Sequence, residues 1–114
     1  MKKLLLLLSL LSTLSAQPTM QQEIDHLLHY VASTECTYIR NGEGHDGKEA
    51  HDHILRKYRY FKDDIKTTED FIRLSATGSL MFKNKYYIQC PGEKKVESAI
   101  WLKRELQRFR EEKK

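Results

Sequence analysis

The chain is poor in cysteine, with only Cys36 and Cys90 in 114 residues. Two thiols so far apart exclude a CxxC redox centre, and alone they do not build a structural zinc site. Apolar runs are equally scarce. The one run, at positions 4–14, is interrupted by Ser9, Ser12 and Thr13. It falls short of the about 20 residues that cross a bilayer, so nothing here encodes a polytopic membrane protein. Gly42-Glu43-Gly44 lacks the long glycine spacing, the Lys-Ser/Thr ending and the preceding buried strand of a phosphate loop. At 114 residues nothing here encodes a dinucleotide fold or a kinase. There is no internal repeat, and neither sign of charge dominates, with 20 Lys and Arg against 16 Asp and Glu. A chain of this length forms one domain with one core.

What is present begins with a leader. Lys2 and Lys3 precede the apolar stretch, the small residues Ser15 and Ala16 follow it, and polar Gln17 comes next. A basic start, an apolar segment of about 7–15 residues and a small-residue exit describe a secretory signal peptide. Cleavage near Ala16 is expected, leaving residues 17–114 as the domain, periplasmic or secreted and without membrane attachment. No cysteine follows the leader, so a lipoprotein anchor is not indicated. Losing Lys2 and Lys3 lowers the formal charge from +4 to +2. The basic stretches at 94–95 and 103–114 are interleaved with Glu97, Glu105, Glu111 and Glu112. They read as a solvated helix face, not a nucleic-acid stripe.

Export also decides the cysteines. One pair has one intramolecular connectivity, Cys36 to Cys90, and outside the reducing cytosol it oxidises. Closing that loop is worth about 4 kcal/mol in the chain-entropy model, a sizeable stabilisation for a small domain.

Periodicity outlines the elements. Thr19 followed three residues later by Gln22 forms a capping-box pattern, and Ile24, Leu27, Leu28 and Val31 recur at helical spacing, predicting a helix over 20–33. Positions 37–39 favour a strand that Asn41-Gly42 stops, and the glycines at 42, 44 and 47 predict a loop. Asp46 with Glu49 starts a helix over 47–60 with Ala50, Ile54, Tyr58 and Phe61 as its stripe. Thr67 caps a short third helix bearing Phe71, Ile72 and Leu74. Positions 79–82 and 86–90 flank Lys83-Asn84-Lys85 as a hairpin, and Val96, Ala99, Leu102, Leu106 and Phe109 mark a last helix over 96–110. The expected fold is a small single α+β domain of about four helices and a β-hairpin, open to 37–39 as a third short strand, stapled by one disulfide.

Ile39-Arg40-Asn41-Gly42, His45, Glu49-Ala50, His53, Leu55 and Lys57 resemble the core of the YfeK-like family of small exported bacterial proteins. The likeness continues through Thr67, Glu69, Phe71-Ile72, Ser79, Tyr86 and Cys90-Pro91-Gly92. It implies export, a single domain and a polar cluster, with no assigned function. The family shows Ser-Ser-x-Ser-Gly before the tyrosine; here Ser79 is kept, while Leu80, Phe82 and Lys83 replace the rest.

That polar cluster carries the candidates. His45, Glu49, His53 and Lys57 are spaced four apart, forming one ridge where they are helical, beside the stripe of Ala50, Ile54 and Tyr58. Arg40 and Asn41 enter from the preceding loop. A metal reading takes His45, Glu49 and His53 as ligands, though no HExxH pattern supports it. An acid/base reading makes His53 a proton shuttle oriented by Glu49, with Ser75 or Ser79 as nucleophile. A purely structural reading has His53 and Lys57 bonding backbone carbonyls and Arg40 pairing with Glu49 or Asp46. His51 stands with His45 and His53 around the start of the second helix, while His26 and His29 read as helix surface, Trp101 as core edge, and Tyr58, Tyr60, Phe61, Tyr86 and Tyr87 as packing. The leading expectation is a non-enzymatic exported protein that binds an envelope protein or cell-wall component, with no cofactor. Its candidate surface is Arg40, Asn41, His45, Glu49, His53 and Lys57; the alternative is a metal-dependent or His/Glu acid–base hydrolase on the same ridge.

Overall fold

The computed structural model describes residues 17–78 and 84–114. The expected leader at 1–16, and the first arm of the expected hairpin at 79–82, lie outside these residues. Helix α1, Met20–Ala32, starts where its capping box places it: the Thr19 hydroxyl accepts from the Gln22 amide at 3.1 Å, and Gln22 accepts from the Thr19 amide at 2.9 Å. Helix α2, Gly47–Tyr60, repeats the device with Asp46 and Glu49, at 2.9 and 3.3 Å. Its first residue is a glycine because a Cβ there would stand 2.5 Å from the Val31 carbonyl oxygen, at the end of α1. The two helices therefore meet backbone to backbone at that corner.

Thr67 and Asp70 cap the short helix α3, Thr68–Phe71, which runs on into a π-helical turn, Ile72–Ala76. That turn is buried apart from Arg73, and its last carbonyl, at Ala76, accepts from the Tyr38 hydroxyl at 3.0 Å and the Ser98 hydroxyl at 2.6 Å. The last helix, α4, spans Ser98–Glu112 and buries Trp101, Leu102 and Leu106.

Four antiparallel strands complete the fold: β1, Thr37–Arg40; β2, Glu43–His45; β3, Tyr87–Gln89; and β4, Val96–Glu97, in the order β2-β1-β3-β4. Two of these differ from the sequence expectation. The glycine-containing segment after Asn41 is not a loop: Asn41 and Gly42 both take positive φ, 54° and 81°, and turn the chain in two residues so that Arg40 faces Glu43. Asn-Gly suits this turn because its backbone twist matches that of the strands. Val96 and Glu97 extend the sheet before α4 begins, since Val96 pairs with Ile88. The strand at Tyr87–Gln89 pairs with β1 and β4, while the only bridge to the 79–82 side among the described residues joins Gly78 and Lys85.

Side chains alternate across the sheet, as the period of two requires. Tyr38 and Ile88 face each other and are buried, whereas the pairs Thr37 with Gln89 and Ile39 with Tyr87 lie on the more open face. The core is thus a layer of helices on one face of the sheet, built from Ile24, Leu27, Val31, Tyr38, Ile54, Phe71, Ile72, Ile88 and Leu102. One rung beyond Thr37 and Gln89 come Cys36 and Cys90, which form the expected disulfide with Cα atoms 4.1 Å apart. This α+β domain, with four helices, a four-stranded antiparallel sheet and one staple, fits the class expected from the sequence and adds two strands to it.

Candidate functional site

Tyr86 is the centre of the polar cluster. Its backbone is held on both sides, its amide donating to the Thr77 carbonyl at 2.9 Å and its carbonyl accepting from the Ser98 amide at 2.9 Å. The side chain is 3% exposed, on the helix-facing side of the sheet with Ile88 two residues on. From α2, His53 places Nε2 3.3 Å from the Tyr86 hydroxyl, ring edge to ring face with centroids 5.7 Å apart. One turn further, Lys57 holds its ammonium 5.0 Å above the Tyr86 ring and donates to the Gly78 carbonyl at 2.7 Å. Tyr38 closes the far side, its ring 5.8 Å from that of Tyr86. Arg40, half-buried at the end of β1, is near enough for its charge to act on His53, Lys57, Tyr86 and Tyr38.

The electrostatics follow from partial burial among like charges. Desolvation, followed by the positive charges of Arg40, Lys57, Arg56 and His45, pushes His53 down to about 4. It is therefore a neutral imidazole at pH 7. Desolvation and then Arg40 also hold Lys57 below the usual lysine range. Burial raises the Tyr86 phenol, with Arg40 opposing, and raises the almost fully buried Tyr38 phenol strongly.

The ridge read from the sequence is divided by this geometry. His53 and Lys57 meet at Tyr86, joined by Arg40. His45, at the end of β2, lies with Nδ1 3.7 Å from Glu49 Oε2, and its Nε2 is buried without a hydrogen-bond partner. Glu49 is exposed and closes the capping box of α2, so it does not orient His53. Asn41 belongs to another surface, a shallow groove of about 660 Å³ on the open face of the sheet, lined by Ile39, Gly42, Asn84, Lys85, Tyr87 and Lys95.

Two chemical readings are not assembled among the described residues. Among the described residues no three His, Cys, Asp or Glu side chains converge as a metal-holding group, because His53 turns to Tyr86 while Glu49 stays with Asp46 and His45. Ser75 is wholly buried on the π-helical turn, with an Oγ that meets no partner, and Nε2 of His53 meets Tyr86 and not Ser75. Ser79 lies outside the described residues. The ion pairs expected for Arg40 are also absent, with no contact within 4 Å to Glu49 or Asp46; those two carboxylates cap α2 instead.

The sequence reading missed Tyr86 as the hub. The signal was there in the alternation of Tyr86, Tyr87 and Ile88, which places Tyr86 on the same face as buried Ile88 once β3 is recognised. It also missed a polar seam between α1 and α4. His26 is half-buried, stacked on Phe109 with centroids 4.0 Å apart and 2.6 Å from Glu105, whereas His29 is exposed as expected. Beside it, buried Glu23 accepts from Thr68 and Arg110.

Neither a curated protein nor a solved structure matches the chain. The match that is found covers the whole described fold up to the last turn of α4: with residues 18–110 fitting its family model, the chain belongs to a family of unknown function, DUF5329.

Proposed function

We propose that this is an exported, non-enzymatic binding domain that engages an envelope protein or cell-wall component through the face formed by Arg40, His53 and Lys57. One observation carries the reading. Two half-buried cations and a neutral histidine are gathered around one tyrosine with no carboxylate beside them. Partly desolvated like charges cost folding free energy, and perturbed groups of this kind concentrate at sites of recognition or chemistry. The rigid sheet–helix corner that presents them is the type of scaffold on which recognition surfaces are built.

Export is supported by the leader pattern at 1–16 and by the Cys36–Cys90 bond, which suits an oxidising compartment. The likeness to YfeK-like exported proteins points the same way. No observation favours the hydrolase alternative. A positive cluster repels a metal ion, and a histidine at about 4 is largely unable to hold a proton for transfer at neutral pH.

The test is co-sedimentation of the purified protein with isolated peptidoglycan sacculi, and cross-linking to solubilised envelope proteins. An Arg40→Ala/His53→Ala double variant serves as the comparison. Binding that falls at least about tenfold in a variant whose melting temperature is unchanged supports the reading. If the double variant melts lower yet binds as well as the unaltered protein, the cluster is architectural and the reading fails.

A further inference from the structure

We propose that the Arg40–Lys57 cluster around Tyr86 is an oxyanion site, taking a carboxylate or phosphate group of the ligand. The proposal rests on the binding reading above and names the chemistry recognised. It begins with a census of charge. All 16 acidic residues of the chain lie within residues 17–78 and 84–114. The positions outside that range contribute no Asp or Glu, so every internal carboxylate is accounted for.

Against those carboxylates, each described Lys and Arg is exposed, or paired, or neither. Arg110 is half-buried and bonds both Glu23 and Glu69; Arg108 bonds Glu105 and Glu112; Arg73, Lys48, Lys85 and Lys114 each have one acidic partner. The rest are exposed, apart from Arg40 and Lys57. These two alone among the described cations are half-buried with no carboxylate within 4 Å, and they converge on Tyr86: Lys57 lies 5.0 Å above its ring, and Arg40 follows the Ile39–Tyr87 pair in the β1–β3 register, across from Tyr86. Arg40 faces Glu43 across the β1–β2 ladder, yet the two side chains form no ion pair.

The donors suit an oxyanion. A lysine ammonium has three N–H donors, and one is spent on the Gly78 carbonyl. The Arg40 guanidinium has five, none given to a described acceptor, in the planar fork that fits two oxygens at once. The Tyr86 hydroxyl and the neutral His53 ring supply polar contact that adds no charge. A bound carboxylate or phosphate would supply the missing countercharge and relieve the repulsion in the apo cluster. A cation would raise it.

The experiment titrates the purified protein with sodium phosphate, sodium acetate and sodium chloride at matched ionic strength, following the His53 ring and the Arg40 Nε–H by NMR. Saturable shifts with phosphate or acetate, exceeding those with chloride and weakened about tenfold or more in Arg40→Gln and Lys57→Gln, are expected. The tighter arm then distinguishes a phosphate from a carboxylate source. Should either variant misfold, Lys57→Arg keeps the charge and is expected to retain binding. Shifts that follow ionic strength alone, equal in all three salts and in the variants, overturn the proposal. In that event envelope binding that is still lost in Arg40→Ala/His53→Ala leaves the binding reading standing without the anion. Anion binding with no envelope binding refutes the reading instead.

Discussion

His53 Nε2 lies 3.3 Å from the Tyr86 hydroxyl, and the imidazole meets the phenol ring at 65°. The neutral imidazole makes this contact in either tautomer, and the surrounding positive charges oppose a second proton on the ring. With the folded value near 4 against an ordinary 6.5, the unfolded chain binds this proton more readily than the folded one. Stability contributed by neutral His53 is complete above about 6.5 and is lost as pH falls from there towards 4. Histidine ring resonances should place the His53 midpoint near 4, and His53→Gln should flatten the fall in melting temperature across that window. A midpoint at or above 6.5 would contradict the burial and charge argument together.

Lys57 tests the same field from the other side. Its ammonium is half-buried and holds one carbonyl, so its removal sacrifices one hydrogen bond while removing an uncompensated charge. Removing an unpaired, partly desolvated charge relieves its desolvation cost, which offsets the single lost hydrogen bond. Lys57→Met should therefore melt at the same temperature or slightly higher. The titration midpoint of His53 should move up, since one of the charges depressing it is gone. A large loss of stability would show instead that the Gly78 contact holds the segment in place.

What could be read from the sequence divides along a physical line. The helices were legible because their caps and stripes are local: Thr19 with Gln22, Asp46 with Glu49 and Thr67 at the third helix each act within one turn, and the boundaries of α2 fall where the pattern puts them. The edge strands were not, because Glu43–His45 and Val96–Glu97 have little apolar alternation and exist through their partners in β1 and β3. The site was half legible. The four-residue spacing brought out His53 and Lys57, but Tyr86 joins them across 33 residues, and the separation of Glu49 from His53 depends on which way a side chain turns.

The disulfide gives a sharp prediction because its loop is long, with a sequence separation of 54. The protein's intact mass should be two hydrogens below the reduced value, and if the leader is removed as proposed the chain should begin near residue 17. Cys36→Ser/Cys90→Ser should lose about 4 kcal/mol in the chain-entropy model. For a domain of this size that corresponds to a melting temperature lower by about 15 °C or more. An unchanged mass on reduction, or a double variant that melts with the unaltered protein, would remove the staple from the account.

Glu23 joins three helices through one carboxylate. It lies on α1 at 6% exposure, accepts from Thr68 of α3 at 2.6 Å, and takes two bonds from Arg110 of α4 at 2.7 and 3.0 Å. Arg110 also reaches Glu69 at 2.9 Å. Removing only Arg110 leaves a nearly buried carboxylate with a single hydroxyl donor, which is costlier than the pair is stabilising. Arg110→Gln should cost about 2 kcal/mol, reduced from the value for a fully buried pair because the arginine is partly solvated. Replacing both groups, as Glu23→Leu/Arg110→Leu, should cost clearly less than the sum of the single changes. The hydrogen bond and charge of Arg110 hold the Glu23 carboxyl below its ordinary 4.5. Its contribution is therefore full above about 4.5 and disappears as pH falls through the lower folded value. Denaturant unfolding at pH 7 and at pH 3 should show the penalty of Arg110→Gln shrinking at the lower pH. A penalty that is the same at both would mean that Arg110 acts through packing of its stem and not through the carboxylate.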